Sequence, residues 1–136
     1  MSGDGASLLL FSPSGVVAQK ALLRRADKRL AALGFEVRID DSALARDERF
    51  AGDDETRLAA IHRAAASGAS IAMATRGGYG LTRLLDRIDW KKVARSVDRG
   101  TRWVGHSDFT VFQLAALAHG NTRTWAGPMA CVDFGR

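Results

Sequence analysis

The sequence predicts an open parallel α/β sheet with helices packed on both faces. Two observations carry this reading. Short apolar runs that suit buried strands alternate along the chain with stretches of helical apolar spacing. The resulting order, strand then helix four times over, demands parallel pairing, because each helix is a crossover that returns the chain to the same end of the sheet. A length of 136 residues with 46% apolar residues suits one domain, spanning 1–136, that buries its own core.

The elements follow in order. Ser7-Leu8-Leu9-Leu10-Phe11-Ser12 is a nearly continuous apolar run stopped by Pro13-Ser14-Gly15, as expected of a strand buried on both faces. From Val16 the apolar positions Val16, Leu23, Ala26, Leu30 and Leu33 predict an amphipathic helix closed by Gly34. Phe35-Glu36-Val37-Arg38-Ile39 alternates like a half-exposed strand, and 40–52 is polar and aperiodic, hence irregular. Asp53-Asp54-Glu55 places negative charge before a helix over 54–66, with Leu58, Ile61, His62 and Ala65 on one face. Ser70-Ile71-Ala72-Met73-Ala74 reads as a third strand, running into Arg76-Gly77-Gly78-Tyr79-Gly80. Leu81, Leu84, Leu85 and Ile88 then resume helical spacing. A fourth strand, Arg102-Trp103-Val104-Gly105, turns at His106-Ser107 into an apolar helix over 108–118. The architecture is a three-layer sandwich of the flavodoxin-like or Rossmann-like kind.

Composition removes several function classes. The net charge of +5 comes from 20 basic and 15 acidic residues dispersed along the chain, which describes a mixed-charge surface rather than a nucleic-acid face. No apolar run approaches the roughly 20 residues of a membrane span, and the N-terminus does not read as a signal peptide, so a cytoplasmic location is expected. One cysteine and three scattered histidines give no metal-ligand spacing. No cofactor is implied.

In a parallel sheet, ligands bind at the carboxyl ends of the strands. Three loops meet there: Ser12 to Gly15, Arg76 to Gly80, and Gly105-His106-Ser107-Asp108. The glycines of the second loop either make a tight turn or let a ligand approach bare N–H groups, as in a flavodoxin-like module that holds a phosphate or nucleotide. Ser107 stands where a strand turns into a helix, the setting of a nucleophile elbow, with the Asp108 N–H able to face a developing oxyanion. Its competing role is a plain helix N-cap. No histidine is a convincing base for it. His119 lies about 18 Å along the same helix, His106 should point to the opposite face from Ser107, and His62 reads as a satisfied boundary residue.

As a set, Ser12-Pro13-Ser14-Gly15, Ala51-Gly52-Asp53-Asp54-Glu55 with Arg57, Arg76-Gly77-Gly78-Tyr79-Gly80, Gly105-His106-Ser107-Asp108 and Gly127-Pro128-Met129 resemble, in this order, the N-terminal half of the LD-carboxypeptidases. These serine peptidases include the microcin immunity proteins. The resemblance implies that Ser107 is the nucleophile of a Ser-Glu-His triad. It implies an oxyanion hole from the backbone N–H groups of Asp108 and Gly78, and a substrate loop that includes Gly77 and Tyr79. His106 departs from the family's usual aromatic.

Family members continue into a second domain that carries the Glu and His, so the chain is expected to be the nucleophile-bearing domain and inactive alone. The implied reaction is release of the terminal D-alanine from muropeptide tetrapeptides during peptidoglycan recycling, or an immunity-type hydrolysis of peptide-nucleotide conjugates. The implied partners are the muropeptide, the C-terminal domain and, in the full-length enzyme, a second copy. Trp103, Trp125, Met129 and Phe134 are expected at an exposed face that meets a partner.

Overall fold

The computed structural model describes residues 5–136. Inside the sheet lies β1 (Ser7–Phe11), where Leu8 and Leu10 enter one hydrophobic cluster while Leu9 and Phe11 enter another. That alternation gives the sheet two buried faces from one apolar run. The strand pairs in parallel with β2 (Glu36–Ile39) on one side and β3 (Ile71–Ala74) on the other. β4 (Arg102–Gly105) joins β3, and β5 (Trp125–Ala126) joins β4, so the all-parallel order is β2-β1-β3-β4-β5.

Among the described residues four α-helices cover the faces: α1 (Lys20–Ala32), α2 (Asp54–Ala66), α3 (Trp90–Asp98) and α4 (Phe109–Gly120). α1 lays Leu23, Ala26 and Leu30 in the cluster of Leu8, Leu10 and Met73. On the other face Ile61 of α2, Val93 of α3 and Phe112 of α4 share a cluster with Phe11 and Trp103. The strand order reverses between β1 and β3, so the loops leaving these strands diverge and open a crevice at their carboxyl ends.

Several elements differ from the sequence expectation. α1 starts at Lys20 rather than Val16, because Val16 and Val17 are buried in the loop, where the Val16 N–H donates to the Arg49 carbonyl. The helical spacing after β3 yields only a 3₁₀ turn, Leu81–Leu84, and the true helix is α3. Its start is fixed by Asp89, whose carboxylate accepts from the N–H groups of Lys91 and Lys92. β5, only two residues long, is a fifth strand that periodicity does not announce.

The expected exposed face is also corrected. Trp103 is fully buried, edge-on to Phe11 at 5.5 Å, with its indole N–H donating to Ser96 Oγ at 2.9 Å. Met129 is buried as well and Phe134 is half-buried, which leaves only Trp125 exposed. Trp103 is inside because β4 is an interior strand with a neighbour on each side.

The irregular segment after β2 is tied down by Asp40, whose two carboxylate oxygens accept from Arg63 at 2.8 and 2.9 Å and which also accepts from Ser42. Burial pushes the Asp40 carboxyl up, but the hydrogen bonds from Arg63 and Ser42 outweigh it and hold it below 3.8. A lowered folded value means that this stabilisation is present above the unfolded pKa and is lost as pH falls through the folded one. Asp40→Asn should therefore lower stability at neutral pH by about 1–3 kcal/mol. The gap to wild type should close on acidification below the ordinary carboxylate range, as followed by denaturant unfolding across pH.

Candidate active site

The crevice is organised from below by a buried cation. Arg57, on α2, is fully buried. Its Nη2 lies 2.7 Å from Asp54 Oδ1, its Nη1 donates to the Pro13 carbonyl and its Nε to the Gly52 carbonyl, both at 3.3 Å. The guanidinium also lies over the Phe50 ring, 4.8 Å from its centroid. Burial pulls its pKa below the ordinary arginine value against the opposing pull of Asp54. Gly80 must be glycine here: its φ is +119°, and a Cβ would come within 2.6 Å of Arg57 Nη1.

Above this clasp the three loops are bonded to one another. Ser12 Oγ donates to the Ala43 carbonyl at 2.8 Å and lies 2.7 Å from Thr75 Oγ1. The Gly15 N–H donates to the Gly77 carbonyl at 2.9 Å. Ser14 Oγ lies 2.6 Å from Asp108 Oδ2 and 3.1 Å from the Tyr79 carbonyl, joining the first loop to both of the others.

Between β4 and α4 the chain turns at Ser107, a non-glycine residue with φ +59°. That left-handed backbone costs a side-chain-bearing residue about 1–2 kcal/mol. No side-chain hydrogen bond caps the start of α4, so the capping reading of Ser107 is not realised. Its side chain is exposed, and Gly77 stands opposite. A Cβ on Gly77 would lie 3.1 Å from Ser107 Oγ and 3.3 Å from the Asp108 nitrogen. The bare Gly77 backbone thus keeps open the space beside both the hydroxyl and the Asp108 amide. Gly78 follows at φ +114°, with its own Cβ position directed at Gly15. Tyr79 is mostly exposed, with the Arg49 guanidinium 5.7 Å from its ring centroid.

Ser107, Gly77 and Gly78 line a cavity of about 350 Å³ together with Arg76, His106 and Cys131. Burial pushes the Cys131 thiol up to about 11, with the Arg76 charge opposing, so this cysteine is protonated at neutral pH and a poor nucleophile.

His106 requires a correction. The positive φ at Ser107 breaks the extended geometry that would have separated the two side chains, and both line the same cavity. Its Nε2 lies 3.5 Å from Asp133 Oδ2, a carboxylate that also accepts the Met129 N–H. His62 accepts the Asp89 N–H at 3.0 Å, and burial lowers its pKa, so it is a neutral boundary residue as the sequence suggests. His119 stacks on Trp90. Among the described residues none of the three histidines is hydrogen-bonded to Ser107. The described residues also contain no group of three or more His, Cys, Asp or Glu that could hold a metal ion, and no helix is long and apolar enough to cross a membrane.

The family model described as the LD-carboxypeptidase N-terminal domain matches residues 9–127. The chain belongs to this family. Among solved structures, the muramoyltetrapeptide carboxypeptidase of Oxalobacter formigenes is 42% identical with a TM-score of 0.85, and the match covers 96% of this chain and 43% of that one. An MccF-like protein of Bacillus anthracis is 26% identical at a TM-score of 0.87, covering 96% of this chain and 40% of that one. The microcin C7 self-immunity protein MccF, solved with aspartyl sulfamoyl adenosine, shares the fold at 22% identity and a TM-score of 0.88, covering 97% and 39%. A Streptomyces coelicolor relative is 31% identical over 135 residues, and there too the chain spans 43% of the relative's length.

Two outcomes check the loop architecture of this LD-carboxypeptidase domain. Ser107→Gly should unfold at higher denaturant than Ser107→Ala by about 1 kcal/mol, because only glycine relieves the left-handed backbone. Arg57→Met should destabilise by about 3 kcal/mol, since it strands the Pro13 and Gly52 carbonyls and leaves Asp54 without its buried partner.

Proposed function

We propose that this chain is the nucleophile-bearing half of a serine peptidase that releases the terminal D-alanine from muropeptide tetrapeptides, a reaction of cytoplasmic peptidoglycan recycling. The observation that carries the reading is the Ser107 elbow, an exposed hydroxyl on a strained strand-to-helix turn with the bare Gly77 backbone facing it. The 42% identity to the Oxalobacter formigenes muramoyltetrapeptide carboxypeptidase supports the substrate class.

In this reading Ser107 Oγ attacks the scissile carbonyl carbon as a histidine takes its proton. The carbonyl oxygen becomes an oxyanion held by the N–H groups of Asp108 and Gly78. Collapse expels D-alanine, whose amine receives the proton from the histidine, and leaves an ester on Ser107. Water, deprotonated by the same histidine, then cleaves that ester. The histidine and its orienting glutamate belong to the part of the family fold that this chain does not span. Ser14, hydrogen-bonded to Asp108, positions the elbow against the glycine loop. The full-length enzyme would act as a homodimer.

The test joins this chain in frame to the C-terminal part of the Oxalobacter formigenes enzyme and follows D-alanine release from a tetrapeptide. The fusion should be active, and Ser107→Ala should lower the rate by about 10⁴ to 10⁶. This chain alone should show no measurable release, because an unassisted serine hydroxyl is a poor nucleophile at neutral pH. Release that survives Ser107→Ala would mean that another residue does the chemistry.

A further inference from the structure

The cavity beside Ser107 is lined by an arginine, Arg76, whose hydrogen-bonding capacity the fold uses only in part. Arg76 leaves the end of β3 immediately before the glycine loop, half-buried, and among the described residues only its Nη1 is hydrogen-bonded, to the Val16 carbonyl at 3.2 Å. Its Nε and Cζ pack on Gly15, where a Cβ would come within 2.9 Å of the former and 3.2 Å of the latter. The guanidinium plane is therefore held by backbone contact on one side.

Among the described residues no carboxylate pairs with it, whereas Arg57, Arg63, Arg83 and Arg87 all pair with acids. Of the cavity's other basic side chains, His106 faces Asp133, and Arg136 is the last residue of the chain, not held against the glycine loop as Arg76 is. A fixed guanidinium with donors to spare is the group that takes a carboxylate through two parallel hydrogen bonds.

Its placement relative to Ser107 gives the carboxylate an identity. The Cβ position of Gly77 is 3.1 Å from Ser107 Oγ, and that of the next residue, Gly78, is 3.8 Å from Arg76 Nη2. The serine and the guanidinium thus flank consecutive glycines of one loop and line the same cavity. In a substrate cleaved at its last peptide bond, one residue separates the scissile carbonyl from the terminal carboxylate, about 3.3–3.6 Å in an extended chain.

We propose that Arg76 is the specificity residue that binds the free C-terminal carboxylate of the amino acid being released, which makes the site a carboxypeptidase rather than an endopeptidase. The assignment rests on the reading of Ser107 as nucleophile. An arginine that merely tethered the Val16 loop would affect all substrates alike, and that difference is what the experiment reads.

The active fusion is assayed with a tetrapeptide ending in free D-alanine and with the same peptide ending in D-alanine amide. Wild type should favour the free carboxylate. Arg76→Ala should raise KM for the acid about ten- to a hundredfold, the loss of a charge-assisted pair, while leaving kcat and the amide substrate nearly unchanged, so that the preference collapses. Arg76→Lys, which keeps the charge and loses the fork, should recover part of it.

Equal losses on both substrates in Arg76→Ala and Arg76→Lys would overturn the proposal in favour of a structural tether. A retained preference in Arg76→Ala would overturn it outright. Failure of the parent reading appears separately, as release that survives Ser107→Ala. Carboxylate preference is then read by calorimetric binding of D-alanine and of D-alanine amide, neither of which has a peptide bond to cleave, to the Ser107→Ala fusion. Loss of that binding preference on adding Arg76→Ala upholds the Arg76 assignment, and its persistence overturns it.

Discussion

The carboxyl end of this sheet depends on a single desolvated guanidinium. Arg57 reaches from α2 beneath two separate pieces of chain: the loop after β1 through the Pro13 carbonyl, and the entry to α2 through the Gly52 carbonyl and the Asp54 carboxylate. A buried charge is tolerable only when its donors are matched. Arrangements of these loops that failed to supply those acceptors would leave the cation stranded, which is a penalty several times larger than any one hydrogen bond gained elsewhere. The clasp thus selects one loop geometry out of many. The glycine loop is fitted to it through Gly80, whose missing side chain is the space the guanidinium and the Phe50 ring occupy.

From that base the order of dependence runs upward. Ser12 and Thr75 join the ends of β1 and β3, the Gly15 amide holds the Gly77 carbonyl, and Ser14 links the first loop to Asp108. Gly77 is thereby presented to Ser107 from a backbone bonded on its far side, so the width of the gap beside the hydroxyl is set by main-chain contacts rather than by flexible side chains. The same contacts fix Gly15 against Arg76. A shift of any one of the three loops would move the serine, the facing glycine and the arginine relative to one another.

Much of the scaffold was legible in the residues, for identifiable reasons. The bounds of α2 were readable because Asp53 is a true cap, its carboxylate accepting the Thr56 N–H at 2.8 Å. β1 and β4 were readable as apolar runs bounded by turns. The helix after β3 was misplaced because Leu81, Leu84 and Ile88 have helical spacing yet are gathered in the core by a 3₁₀ turn and a bend, while the real signal, Asp89 followed by Trp90, Val93 and Val97, lay just beyond. The elbow at Ser107 showed in the sequence as a strand-to-helix junction, but its positive φ did not, nor did the opposition of Gly77. Arg57 and Arg76 look alike in a list of basic residues. Only packing separates the one that is saturated from the one that is not.

The sheet also ends in a particular way on each side. β5 contributes two residues to one edge, and the Arg102 guanidinium sits 5.5 Å from the centroid of the exposed Trp125 ring. The opposite edge, β2, carries Glu36 and Arg38 along its four residues. Neither border offers the long, flat, uncharged ladder on which a further strand could grow. Lateral addition of strands, the common route by which sheets assemble into aggregates, is therefore disfavoured at both margins. The large aliphatic side chains most open to solvent lie off these margins, at Leu33 after α1 and at Leu114 and Leu117 on α4.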